Sequence, residues 1–252
     1  MTLIEAIVLG VVQGLTEFLP ISSSGHLVLT KHLLEIEGSG NEFEVLVHLG
    51  TLASILVVFS KDIKILFSDL KTKKNQSYIF FLCLASLPAA IAGIWFKDSF
   101  ELLFDDYFIV SKALLFTGLT LVISYFFKPK NKKHNIISSI LIGLFQALAI
   151  TPGISRSGMT ISCALLLGIN AKDAAKFSFL MAIPVISGAG FLTFIDSYNS
   201  FSIPISIGFS ALLSSFLIGV LALKWLLNWL GKGKFYYFGI YCILLGLLMM
   251  AS

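Results

Sequence analysis

The chain alternates long apolar runs with short polar interruptions, and the position of each interruption predicts an element. Thr2 to about Leu19 is apolar and helical in character, with Gly10 and Gly14 four apart and Gln13 and Glu17 four apart, so each pair lies along one helix face. Pro20 ends that helix, Ile21 to Gly25 is a serine-rich break, and a second apolar run extends from His26 to about Glu35. Neither arm has the roughly 20 residues that a crossing needs, so 2–35 predicts a helical hairpin that dips into a membrane and returns. Spans follow at 45–59, 78–96 and 108–127; a second hairpin at 136–168, broken at Thr151 to Gly158, precedes spans at 177–195, 205–229 and 235–251.

The two hairpins are copies of one another. A shift of 133 positions lays Gly10, Gln13, Leu15, Ile21, Ser22, Ser24 and Gly25 on Gly143, Gln146, Leu148, Ile154, Ser155, Ser157 and Gly158 without a gap. The differences are chemical: Glu17 faces Ile150, Ser23 faces Arg156 and His26 faces Met159. One copy carries an acid and an imidazole, and the other carries a cation.

Loop charge then orients the copies. Glu37, Glu42 and Glu44, and later Asp98, Glu101, Asp105 and Asp106, mark loops outside the cytoplasm. Lys61, Lys64, Lys71, Lys73 and Lys74, the run from Lys128 to Lys133, Lys172 with Lys176, and Lys232 with Lys234 mark the cytoplasmic side. The first hairpin therefore enters from outside and the second from inside. The expectation is an all-α integral membrane protein: an inverted-topology repeat of six transmembrane helices plus two re-entrant helical hairpins, about ten helices, in one domain of two halves, 1–128 and 135–252.

Composition narrows the class. A chain of 252 residues that is 57% hydrophobic and 13% charged, with mean hydropathy +0.92, carries more apolar surface than a water-soluble globule of this size can bury. The net charge of +4 sits in loops between apolar runs, so it reports topology and not nucleic-acid binding. Cys83, Cys163 and Cys242 lie within apolar segments without a spacing pattern and read as small apolar residues. With no Lys or Arg before Lys31 and no small-residue cleavage site, the first segment does not read as a removable signal peptide.

Two hairpins that dip from opposite faces bring their polar tips together, where broken helices are tolerated only around a cavity. The tips at Ser22 to Gly25 and Ser155 to Gly158 each open a helix with serines and a glycine, a donor-rich arrangement that suits an anion. Arg156 is the one arginine beside 17 lysines, which points to bidentate recognition of phosphate or carboxylate, against the alternatives of a helix cap or an ion pair with Glu17. Glu17 is an acid in an apolar run, where an unpaired charge costs about 2.5–3.5 kcal/mol on insertion scales. Gln13, one turn earlier, is placed to orient Glu17 or to bind ligand. Ser23 and His26, three apart at a helix start, fall on one side within mutual reach, as a nucleophile and an acid/base group would. His48 on the next span is a candidate for the same chamber, whereas His32 and His134 read as interfacial.

At these motifs the sequence resembles the bacterial undecaprenyl-pyrophosphate phosphatase family, the BacA type linked to bacitracin resistance. The resemblance rests on Gln13 and Glu17; on Pro20, Ser22, Ser23, Gly25 and His26; and on Pro152, Gly153, Ser155, Arg156, Ser157 and Thr160, and it covers the whole length. It implies a multi-pass hydrolase of the bacterial inner membrane that converts undecaprenyl pyrophosphate to undecaprenyl phosphate and inorganic phosphate and so recycles the carrier lipid of cell-wall assembly; the loop charges predict an active site open to the periplasmic or extracellular side. The residues themselves supply a consistent mechanism, with Glu17, Ser23 and His26 as catalytic residues and attack by Ser23, by His26 or by a water they position. Arg156, Ser22, Ser155, Ser157, Gly153 and Thr160 would bind phosphate, with Gln13 and His48 in support. A divalent cation, Mg²⁺ by coordination chemistry, would be held mostly by pyrophosphate oxygens and water, with Glu17 as its protein ligand. The partner is a polyprenyl pyrophosphate lipid; bacitracin is expected to compete for that lipid and not to bind the protein, and a homodimer is compatible with this picture. The competing reading is a transporter or flippase of a phosphorylated lipid or small anion, because inverted repeats with broken helices also build transporters.

Overall fold

A computed structural model describes residues 1–36, 41–96, 103, 106–127, 130–196, 203–230 and 233–251. Among them are eleven helices and no strand: α1 Leu3–Thr16, α2 Ser23–Leu33, α3 Asn41–Val58, α4 Ser60–Ser68, α5 Lys73–Trp95, α6 Tyr107–Tyr125, α7 Ile136–Leu148, α8 Arg156–Leu166, α9 Ala171–Asp196, α10 Ile205–Leu230 and α11 Tyr236–Ala251. Of the expected loop charges, Glu37, Asp98, Glu101, Asp105, Lys128 and Lys232 lie outside the described residues.

The protein is a multi-pass membrane protein. Four helices, Lys73–Trp95, Tyr107–Tyr125, Ala171–Ile195 and Ile205–Leu230, are long and apolar enough to cross a bilayer, and α3 with α4 makes a fifth if the pair, bent by 67°, counts as one span. The expected span 235–251 is an apolar helix of 16 residues, short of the usual length. Large side chains stand in the open on the outer faces, among them Ile4, Trp95, Phe126, Ile205 and Leu248, far more apolar surface than water tolerates.

Two elements depart from the expectation. The stretch after Phe59 was expected as a cytoplasmic connector, yet it forms α4, because Ile63 and Leu66 fall on one face and pack on the core while Lys61 and Lys64 face out. Helix α5 begins at Lys73, five residues before the expected span, since Lys73, Lys74 and Gln76 are good helix formers that continue the turn beyond the apolar run.

In lipid, helices associate through close packing rather than the hydrophobic effect, and here glycines permit it. Helix α1 packs along α10, and α7 along α5. A Cβ on Gly10 would meet the Ala211 carbonyl at 2.6 Å, and one on Gly143 would meet the Ala85 carbonyl at 2.6 Å. These two glycines are matched by the 133-residue shift, and each fits its helix closely against a longer apolar helix, α10 for α1 and α5 for α7. Helices α3 and α9 pack together, as do α6 and α11, and the core gathers Phe18, Ile55, Phe59, Phe177, Phe179 and Leu226. Phe18 meets Phe179 edge to face, with ring centroids 5.6 Å apart, directly beneath the turn that bears Glu17.

Candidate active site

The two hairpin tips share one cap. Ser22 Oγ accepts from the Gly25 amide at 3.3 Å and lies 3.2 Å from Ser24 Oγ; Ser155 Oγ accepts from the Gly158 amide at 3.1 Å and lies 3.3 Å from Ser157 Oγ. Each cap satisfies an amide that a helix start would otherwise leave unpaired. The tips also hold each other. The Gly153 amide donates to Ser24 Oγ at 3.3 Å, and Ser157 Oγ donates to the Leu19 carbonyl at 3.2 Å.

Glu17 sits where they meet and is 7% exposed. Its Oε1 accepts from Arg156 Nη2 at 2.5 Å, and its Oε2 accepts from Gln13 Nε2 at 2.9 Å and from Ser23 Oγ at 2.7 Å. His48 Nε2 is 3.6 Å from Oε2, its Nδ1 bound to the Glu44 carbonyl at 2.6 Å. The acid is thus stabilised by one cation and two neutral donors, as a buried carboxylate must be. Two buried atoms beside it have no hydrogen-bond partner: Arg156 Nη1 and Gln13 Oε1. A free guanidinium donor in a chamber of hydroxyls is a place for an anionic oxygen.

Of the expected site residues, the fold gathers Gln13, Ser23, His48 and Arg156 into one cluster around Glu17. The expected Ser23–His26 pair does not form. Ser22 has φ +68°, a backbone conformation that turns its carbonyl onto the ring of His26, where Nδ1 lies at 2.7 Å. The imidazole swings away to Tyr241 Oη, 2.8 Å from Nε2, and Ser23 is left to Glu17. Thr160 faces elsewhere: its hydroxyl donates to the Arg156 carbonyl at 2.8 Å and lies 2.6 Å from Ser178 Oγ, so it braces the first turn of α8. Gly153, at φ +89°, makes the turn that a side chain would resist.

Sequence reading missed two residues. Thr117 on α6 threads the second tip, since its Oγ1 donates to the Gly153 carbonyl at 3.2 Å and accepts from the Ser155 amide at 3.1 Å. Tyr241 on α11 reaches His26. Each is one of several hydroxyls on an apolar helix, and nothing in the sequence sets it apart from the others.

The geometry defines a class: an all-helical membrane protein whose paired hairpins enclose a carboxylate, a hydroxyl and a guanidinium with one donor to spare. The family model described as Bacitracin resistance protein BacA matches residues 6–248, and the chain belongs to that family. Among its relatives, a protein of Bacteroides thetaiotaomicron is 40% identical over 265 residues, covering 100% of this chain and 99% of its own. One from Parabacteroides distasonis is 40% identical over 100% of this chain and 98% of its own. One from Alkaliphilus metalliredigens is 41% identical over 96% of this chain and 95% of its own. All three bear the name undecaprenyl-diphosphatase.

Proposed function

We infer that the protein is a membrane phosphatase that hydrolyses undecaprenyl pyrophosphate to undecaprenyl phosphate and inorganic phosphate. The family and the names of its full-length relatives support this over transport. The observation that carries the chemistry is the chain Ser23–Glu17–Arg156, a hydroxyl already donating to a buried acid that a guanidinium holds in place.

In this mechanism a pyrophosphate oxygen takes the free Nη1 of Arg156, and the terminal phosphorus lies against Ser23 Oγ. Glu17 accepts the Ser23 proton as Oγ bonds to phosphorus and the anhydride P–O bond breaks, releasing undecaprenyl phosphate. Water then attacks the phosphoserine, its proton passes to His26 and from there to solvent, inorganic phosphate leaves, and Glu17 returns the proton to Ser23. Arg156 neutralises charge that builds on the phosphoryl oxygens, which are the main seat of stabilisation in such transfers.

The expected divalent ion meets a single carboxylate here. Both oxygens of Glu17 are already engaged, and among the described residues no group of three His, Cys, Asp or Glu is placed to hold a metal. These residues do not fit a resident Mg²⁺. An ion arriving on the pyrophosphate would be held by phosphate oxygens and water, and no step above depends on it.

The helix pairings support two inverted repeats, 1–128 and 135–252, and the loop charges support a bacterial inner-membrane setting with the chamber open to the outer face. Bacitracin, on this reading, withholds the lipid without touching the protein. Phosphate release by purified protein, compared with Glu17→Gln, Ser23→Ala, His26→Ala and Arg156→Ala, tests the site; undiminished turnover in all four rejects it. Labelling of Ser39→Cys but not Lys132→Cys by an impermeant reagent in intact cells is the result expected for the orientation, and the reverse pattern rejects it.

A further inference from the structure

We propose that Tyr241 is a positioning residue of this reaction: its phenol donates to His26 Nε2 and holds the imidazole in one tautomer and one direction at the mouth of the chamber. The inference rests on the phosphatase reading, and it starts from the other nitrogen. His26 Nδ1 lies 2.7 Å from the Ser22 carbonyl, an oxygen that can only accept, so Nδ1 carries the hydrogen. The neutral ring then has its lone pair on Nε2, and the group 2.8 Å away is the Tyr241 hydroxyl, which donates. The two rings lie within 16° of parallel, centroids 5.7 Å apart, so carbonyl, imidazole and phenol form one directed chain.

Helix α11 has independent reason to sit there. The neighbouring Cys242 is buried, with Sγ 3.6 Å from the Pro20 carbonyl, which sets α11 against the turn of the first hairpin. Tyr241 itself is 43% exposed, on a helix whose Leu244 and Leu248 stand at 62% and 68%. A lipid-facing position calls for an apolar ring, and phenylalanine would serve. The hydroxyl finds its use in His26.

This arrangement keeps the lone pair of Nε2 directed and unprotonated until substrate arrives. A hydroxyl can rotate, so when His26 takes a proton from water the same phenol accepts from Nε2–H and the ring stays where it was. Tyr241 thereby serves both protonation states without touching phosphorus.

The test uses undecaprenyl pyrophosphate in detergent micelles with the unmodified protein, Tyr241→Phe, His26→Gln and the double variant, together with ¹⁵N spectra of labelled histidine in which His26→Gln assigns the signal. Tyr241→Phe should lower kcat about tenfold with KM within about twofold, a modest part of the 10²–10⁴ that positioned acid–base groups supply. In the His26→Gln background the same change should cost less than about twofold, as coupled residues behave. The His26 spectrum should show a protonated Nδ1 and a bare Nε2 that becomes mixed in Tyr241→Phe. Equal losses in both backgrounds, or an unchanged tautomer with full kcat, overturns the proposal, as does wild-type turnover by His26→Gln. No phosphate release by the unmodified protein would overturn the phosphatase reading instead, and the tautomer spectra would still decide what holds the ring.

Discussion

The two hairpin tips have the same cap and opposite burdens. In the second, Ser155 adopts an ordinary φ of −76° and Gly153 takes the left-handed turn at φ +89°; Ser155, Ser157, Gly158 and Thr160 are all buried. In the first, Pro20 stands where the second has Gly153, no glycine relieves the turn, and Ser22 itself bears φ +68°. Ser23, Ser24 and His26 remain half-buried beside it. A backbone outlier of this kind costs about 1–3 kcal/mol. One tip is therefore a relaxed scaffold that lends a single cation, and the other holds the proposed reactive groups in a strained and partly open loop. Two stretches of similar sequence thus differ in what their backbones bear and in how far their side chains are open.

The largest effect should separate the tips by function. Ser23→Ala should reduce phosphate release by about 10⁴-fold or more, as loss of a nucleophile does. Ser157→Ala, which loses the bond to the Leu19 carbonyl and the contact with Ser155 Oγ, should keep turnover within about tenfold while costing about 1 kcal/mol of stability. Equal kinetic damage from both would dissolve the distinction. Next, Arg156→Ala should cost about 10²–10³-fold in kcat/KM, and Arg156→Lys should recover little of it, because one ammonium cannot serve Glu17 and a phosphate oxygen in the same plane. A lysine variant near full activity would show that charge alone is lent.

Smaller effects probe the backbone. Gly153→Ala should destabilise the protein by about 3 kcal/mol in an unfolding assay, since its Cβ would lie 2.5 Å from the Val110 carbonyl at a positive φ. Smallest is the pair Ser22→Gly and Ser155→Gly. Both lose a cap, worth a few tenths of a kcal/mol for Ser to Gly, but only Ser22→Gly relieves strain, so it should come out about 1 kcal/mol the more stable of the two. Equal stabilities would mean that Ser22 is not strained.

Much of this was legible before any coordinates. Glu17 and Arg156 declared themselves because an acid in an apolar run and a solitary arginine both need a reason in a bilayer, and the repeat placed them in facing tips. Helical spacing put Ser23 and His26 on one side of α2 but could not say which carbonyl would claim the imidazole; that depended on the turn at Ser22. Tyr241 was hidden for a plainer reason. Its partner lies 215 residues away, and only the packing of α11 brings the two together. Helix α4 was hidden by its lysines, which look like a loop until Ile63 and Leu66 are seen to share a face.

The fit of Gly10 against Ala211 has a consequence for biosynthesis. Helix α1 finds its main partner in α10, which begins at Ile205, so at ~5–20 residues per second α1 waits roughly 10–40 s for the helix it will lie on. Arg156 lies 139 residues after Glu17 and follows it by roughly 7–28 s at that rate, so for the earlier part of the interval a membrane-inserting chain carries Glu17 without its cation. A chain that stops before Arg156 therefore leaves the hairpin with an unpaired acid, whereas one that stops between Arg156 and Ile205 has the ion pair but not the helix that α1 lies on.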